Sequence, residues 1–190
     1  MIAPCFPSRA AGLLLIAVGG LAGCASTPRF AEIPLQPPYA VSRHGLLHYK
    51  VPVGWFDATS DSQSVATEIW LVRNDYAATI SVSEIIIDAE TRHAISGEGL
   101  LRLANLSLSL SGSDGTTTVL DPPETFLLDG KNSCSYAVYR SGASDTLRVV
   151  LLPVGERVFE VAALTSGKQK RASAREVFSA QQSFLRGLRQ

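Results

Sequence analysis

The side chains of this 190-residue chain that could do chemistry are few: three histidines, three cysteines and scattered carboxylates. His44 and His48 stand four apart, a spacing that on a helix would face one way and bind zinc with a third ligand. They straddle a predicted strand start instead, and no His-Glu-x-x-His pattern accompanies them. Two exposed histidines are the better account; His93 adds no ligand spacing, and no metal or cofactor is expected. Cys134, with histidines elsewhere, has the parts of a thiol nucleophile. It lies in Ser133-Cys134-Ser135-Tyr136, inside a predicted strand, with no glycine elbow and no helix N-terminus to lower its pKa. A small buried core residue accounts for it better. Asp57, Asp61 and Glu68 follow Trp55 and could pair as acid and base in a cleft. The same positions suit a turn and an exposed strand face. Asp121-Pro122-Pro123-Glu124 reads as a rigid surface loop, and Ser111-Gly112-Ser113-Asp114-Gly115 as a flexible turn. No Gly-x-Ser-x-Gly elbow or phosphate-cradling glycine loop occurs.

The remaining reactive group is the thiol of Cys24. Residues 1–23 carry one cation, Arg9, ahead of a charge-free apolar run from 10 to 22. That run is short of the roughly 20 residues a bilayer span needs, and it matches the apolar region of a secretory signal better than a retained membrane helix. It ends in Leu21-Ala22-Gly23-Cys24, which resembles the bacterial lipobox: a leucine, two small residues, then cysteine. The resemblance implies cleavage before Cys24 and acylation of its thiol and new amine. Small residues at 22 and 23 admit the peptidase, and only a thiol forms the thioether. Several acyl chains, each adding about 0.8 kcal/mol per buried methylene, make a lasting anchor. Ala25 follows, where an aspartate tends to retain lipoproteins in the inner membrane, so an outer-membrane location facing the periplasm is expected.

Charge and cysteine content exclude other classes. Seventeen basic residues balance seventeen acidic ones, leaving no global field for nucleic acid. Three cysteines cannot build a disulfide scaffold or a four-cysteine zinc site. One local asymmetry exists: Lys168, Lys170, Arg171, Arg175, Arg186 and Arg189 face Glu176 alone near the C-terminus. A solvated helix face is the ordinary account, contact with anionic headgroups the sharper one.

These residues must be positioned by a small set of elements. Prolines 28, 34, 37 and 38 make 24–44 an expected extended tether. From 45 to 190 one domain is expected. Residues 46–51 read as a strand stopped by Pro52, with a turn at Val53-Gly54-Trp55. Residues 66–73 and 77–87 form a hairpin about Asn74-Asp75. Segment 96–110 reads both ways: Leu100, Leu101, Ala104 and Leu108 share a helical stripe, whereas Leu106, Leu108 and Leu110 alternate with serines; helix is favoured. Strands follow at 125–128, 133–140, 146–152 and 157–164, separated by turn residues. The last element is an amphipathic helix with Ser173 as N-cap and Glu176 closing the capping box. Ala174, Val177, Phe178, Gln181, Phe184, Leu185 and Leu188 take its inner face; Arg175, Ser179, Gln182, Arg186 and Arg189 take the outer one. Trp70 is expected in the core. Trp55 is expected to pack as well, with a shallow pocket or a clamp on the last helix as its alternative. Strands interrupted by a middle helix and closed by a terminal one give an α+β fold, with a largely antiparallel sheet of six or seven strands.

Tyr49-Lys50-Val51-Pro52-Val53-Gly54-Trp55 resembles the strand-Pro-x-Gly-Trp opening of PsbP-like domains. The hairpins, the strand Arg157-Val158-Phe159-Glu160-Val161 and the helix bearing Ser183-Phe184 follow the same order, over residues 46–188. The resemblance implies an α/β sandwich and a membrane-associated assembly or accessory factor with no shared catalytic set, so no functional residue carries over. The expected function is a non-enzymatic lipoprotein that binds another envelope protein. A carrier of an apolar ligand or lipid, and a hydrolase using Cys134 or Asp57, Asp61 and Glu68, are the alternatives.

Overall fold

Alternating apolar and polar residues, with β-branched side chains at the inward positions, set most of this chain in strands. The computed structural model describes residues 30–64, 66–88, 91, 99–111, 115–165 and 171–190, without the side chains of 171–173. In chain order the elements are β1 (Ala40–Val41), β2 (His48–Tyr49), β3 (Trp55–Asp57), β4 (Ile69–Arg73), β5 (Ala78–Ile85), α1 (Leu100–Ser111), β6 (Thr117–Leu128), β7 (Lys131–Arg140), β8 (Asp145–Val154), β9 (Arg157–Thr165) and α2 (Arg171–Gly187). Strands β3 to β9 form one seven-stranded sheet in the order β3-β4-β5-β9-β8-β7-β6, and every neighbouring pair is antiparallel. β1 and β2 pair separately. The α+β class, the middle helix and the closing helix are as the sequence implies.

The period of two sends alternate residues of each strand to opposite faces. Ile80, Val82, Val150, Leu152, Phe159, Val161 and Ala163 bury against α2, which brings Val177, Phe178, Phe184, Leu185 and Leu188. Cys134, Tyr136, Val138, Val149 and Leu151 take the other face, under Leu103 and Ala104 of α1. Segment 96–110 therefore resolves as a helix from Leu100, its inner stripe outweighing the serine alternation; residues 96–98 lie outside the described residues.

Several expectations are corrected. The tether expected over 24–44 is, from Phe30 onward, packed onto the body. Ile33 N–H donates to Ser183 Oγ at 2.8 Å, Leu35 bridges Pro52, and β1 pairs β2. Prolines forbid a helix but leave carbonyls free, so Pro34 O accepts from Val53 N–H at 2.8 Å. The strap lies close on α2: a Cβ added at Gly187 would sit 2.5 Å from Leu35 Cδ1. The expected strand at 46–51 shrinks to two residues. The turn after it ends at Gly54, whose φ is +86°, and Trp55 already begins β3. Asp121-Pro122-Pro123-Glu124 lies inside β6 rather than in a loop. β6 is the sheet's edge, so proline's missing N–H faces outward, and register shifts around Asp121 absorb the extra residues. Trp70 is half-buried, because Ile69 and Leu71 on either side claim the α2 face. α2 starts two residues before Ser173, since Arg171 and Ala172 are good helix formers. Ser179 is buried as well, its hydroxyl donating to Arg175 O at 2.9 Å within the helix.

Candidate partner-binding groove

Where β4 turns back into β5, Tyr76 N–H donates to Arg73 O at 2.8 Å, which closes a tight turn over Asn74 and Asp75. The next residue must then take a left-handed conformation for the strands to re-pair, a place usually filled by glycine. Here it is Tyr76, at φ +59°. A tyrosine there costs about 1–2 kcal/mol, yet its side chain is 76% exposed. It packs only edge-on to Phe56, centroids 5.7 Å apart, and Phe56 is itself exposed on β3. Backbone strain is thus spent on displaying an aromatic ring rather than burying it.

At the same corner of the sheet, but on the opposite face from Phe56, a cavity of about 460 Å³ opens between the Val53-Gly54-Trp55 turn, the strap and α2. Ile33, Trp55, Val177 and Ala180 make its apolar floor; Arg73, Asp75 and Glu176 make its rim. Trp55, 5% exposed, belongs to the core as expected, and it also lines the pocket that stood as the alternative. Arg73 grips Asp75 with two hydrogen bonds, Nε to Oδ1 at 2.8 Å and Nη2 to Oδ2 at 2.5 Å, and stands 3.8 Å from Glu176. The guanidinium holds the Asp75 carboxyl down at about 2. The rim sets one guanidinium against two carboxyl groups, Asp75 and Glu176, and suits an incoming basic group. None of Tyr76, Phe56, Arg73 or Glu176 was singled out from the sequence as part of a site. The available signal was Asn-Asp-Tyr where a hairpin calls for glycine.

The residues the sequence did single out are taken by structural bonds. Asp57 accepts the hydroxyl hydrogen of fully buried Tyr49 at 2.5 Å and the N–H of Thr59 at 2.9 Å. Asp61 accepts from Gln63 N–H at 2.8 Å in a local turn. Glu68 was expected on an exposed strand face; it is buried, and bonds both the backbone N–H and Nδ1 of His44. The three carboxylates serve separate tasks and make no acid–base pair. His44 and His48 are exposed, as expected. No cluster of metal-ligating side chains occurs among the described residues. Residues 1–29, Cys24 among them, and His93, Lys168 and Lys170 lie outside the described residues. Of the other expected basic positions, Arg189 pairs with Asp129 at 3.2 Å.

Cys134 is fully buried and free of disulfide, and burial pushes its thiol up. A thiol without access or a lowered pKa makes no nucleophile, so the hydrolase built on Cys134 falls. On the same face of the sheet lie Tyr136, raised to about 12 by burial, and Glu160, raised by burial. Glu160 gives a pH prediction. A carboxyl whose folded pKa exceeds its unfolded one binds extra protons when folded, so it costs stability as pH rises above the ordinary carboxylate range. Glu160→Gln is expected to melt above the parent at neutral pH, the gain vanishing as pH falls below that range. A melting difference that does not change with pH would contradict it.

No protein-family model and no curated protein matches this chain. Among solved structures it is similar to the Saccharomyces cerevisiae Ran-binding protein Mog1p, at 12% identity and TM-score 0.54, over 82% of this chain and 96% of that one. It is also similar to cyanobacterial PsbP (CyanoP) from Synechocystis sp. PCC 6803, at 13% identity and TM-score 0.51, over 90% of this chain and 99% of that one. At such identities the likeness is one of fold, and it supports the PsbP-like architecture read from the order of elements.

Proposed function

We propose that this chain is a non-enzymatic binding module of the bacterial cell envelope, anchored through acylated Cys24 and recognising another envelope protein at the sheet corner that displays Tyr76 on one side and the Arg73-rimmed groove on the other. The observation that carries the recognition half is Tyr76 itself, an exposed aromatic ring held in a backbone state that disfavours it. Exposed aromatics and arginine around an apolar hollow are the side chains that dominate protein interfaces. The groove fits a segment offering an apolar side chain to the floor and a lysine or arginine to the rim. A Ran-binding protein built on the same fold supports using this scaffold for recognition. The anchor rests on the apolar run ending in Leu21-Ala22-Gly23-Cys24, and Ala25 favours the outer membrane. Confinement to a thin layer raises the effective concentration of partners at the same membrane.

The carrier alternative would need a wide apolar chamber beneath α2. That space is filled by Val177, Phe184 and Leu185, all at most 1% exposed. The cavity at the C-terminal end of α2 holds about 270 Å³, below the usual range for ligand pockets. The groove of about 460 Å³ is within that range, but it is rimmed by Arg73, Asp75 and Glu176 rather than enclosed by apolar side chains.

Two measurements test the two halves. Mass analysis of the envelope-derived protein is expected to find the chain starting at Cys24 with fatty acids attached, and Cys24→Ala is expected to abolish both acylation and membrane fractionation. A photo-crosslinking residue at 76 is expected to trap a specific protein in intact cells, where the same residue at 131 does not. Tyr76→Gly is expected to lose that partner while melting no lower than the parent, since glycine relieves the left-handed strain. Equal crosslinking at both positions, or an unmodified N-terminus, would overturn the corresponding half.

A further inference from the structure

The strap has an outward face of its own. Leu35 bridges Pro52, Gln36 N–H donates to Val51 O at 2.8 Å, and β1 pairs with β2, so 35–41 and 48–52 lie antiparallel. With a period of two, Ala40 and Tyr49 turn into the core. Tyr39, Val41, His48 and Lys50 take the other side. Tyr39 is 44% exposed and Val41 52%, and the Lys50 ammonium stands over the Tyr39 ring, 4.6 Å from its centroid. A tyrosine, a valine and a lysine whose stem follows apolar surface suit the boundary between lipid headgroups and acyl chains.

Charge on this ladder has one sign. From Ile33 to Phe56 the sequence holds Arg43, Lys50 and two histidines, and no acidic residue. Glu32 stands at the strap's other end, and Asp129 is matched at 3.2 Å by Arg189, whose backbone bonds His48. A second observation is where the strap leads. Phe30 packs edge-on to Phe178, centroids 6.4 Å apart, and against Arg148 at 4.6 Å, so the chain leaves the body on the α2 side of the sheet. Cys24 lies six residues earlier, a reach of about 20 Å at full extension. The anchor and the Tyr39 patch thus belong to one strap, with α1 on the far side of the sheet.

From the exit of the tether on this side and a patch that joins apolar surface to cations alone, we infer that Tyr39, Val41, His48 and Lys50 rest on an anionic lipid bilayer. The inference rests on the anchored reading proposed above. The acyl chains hold the start of the strap at the surface, and the patch fixes which side of the body faces it. Phe56 and the Tyr76 ring packed on it lie on the opposite face of the sheet, turned away from the lipid, where a partner can reach them.

Tryptophan placed at 41 tests this in the full chain. Val41→Trp protein is added to vesicles of phosphatidylethanolamine and phosphatidylglycerol with brominated acyl chains, and the signal of Trp55 and Trp70 is subtracted using the parent. Emission at 41 is expected to shift to the blue and be quenched; Tyr39→Trp reports the same face if Val41→Trp melts early. Leu110→Trp, on α1 across the sheet, is expected to stay unquenched. Lys50→Glu added to Val41→Trp should weaken the quenching without moving the melt, and phosphatidylcholine in place of phosphatidylglycerol should weaken it too. No quenching at 41 or 39, equal quenching at 41 and 110, or quenching indifferent to both charge changes would overturn the inference. So would a blue shift without vesicles together with a doubled mass, which means a second copy covers the patch. Acylation of Cys24 is read separately by mass. An acylated chain silent at 41 fails only the bilayer contact, an unacylated chain quenched at 41 fails only the anchor, and an unacylated, silent chain fails both.

Discussion

Phe184→Ala is expected to destabilise the folded chain by about 3–5 kcal/mol, as large core truncations do when the site cannot collapse. Phe184 is fully buried at the centre of the α2 face and meets Tyr49 edge-on, ring centroids 6.0 Å apart. Tyr49 cannot follow it into the void, because its hydroxyl is fixed on Asp57 at 2.5 Å and stands 3.3 Å from Thr59 Oγ1. The strap is tied one residue away at Ser183, so the helix cannot shift freely either. Urea unfolding measures the loss. A midpoint change worth less than about 1 kcal/mol would mean the core closes around the missing ring, and Phe184→Leu is expected to cost under about 1.5 kcal/mol.

A second large effect is expected at Gln181, a fully buried polar residue that the helical pattern places on an otherwise apolar face. Its Oε1 accepts from Arg148 Nη1 at 2.7 Å, and its Nε2 donates to Val161 O at 2.7 Å and Arg148 O at 3.2 Å. Arg148 is 5% exposed; it also meets Gln182 Oε1 at 3.2 Å and lies under the ring of Phe30, 4.6 Å from its centroid. Gln181→Leu removes one acceptor from a buried guanidinium and leaves the Val161 carbonyl without that donor, at an expected cost of about 3–5 kcal/mol. Arg148→Met combined with Gln181→Leu is expected to recover part of this, because a polar pair removed together leaves fewer orphaned atoms. A double-mutant cycle reads the coupling; strictly additive losses would show that the two side chains do not act as a unit.

The strap differs from an extended tether for a reason that lies outside its own sequence. Prolines at 34, 37 and 38 say only that the segment is neither helix nor central strand. What holds it down is remote: Ser183 Oγ for the Ile33 N–H, and the carbonyls of Pro52 and Trp55 for Gln36 Nε2, at 2.9 and 3.1 Å. None of those partners is visible in the local pattern of 30–44. A mid-strand tryptophan such as Trp70 is expected in the core, whereas strand parity gives the α2 face to its neighbours. Glu68 shows the opposite error. A carboxylate looks exposed by type, and only the fold brings His44 to cover it.

Read alone, the chain declares where periodicity and chemistry are local. The strand runs, the inner face of α2 and the Leu21-Ala22-Gly23-Cys24 signature depend on residues adjacent in sequence, and so did the rejection of Cys134 as a nucleophile. The candidate groove depended on the third dimension. Trp55, Arg73 and Asp75 come from one sheet edge, Glu176 from a helix a hundred residues later and Ile33 from the strap, and no spacing along the chain relates them. Hydrophobic burial is written in the order of residue types, because each side chain carries its own preference for water. A binding surface is written in the distances between elements, and those exist only once the sheet, α2 and the strap have closed on one another.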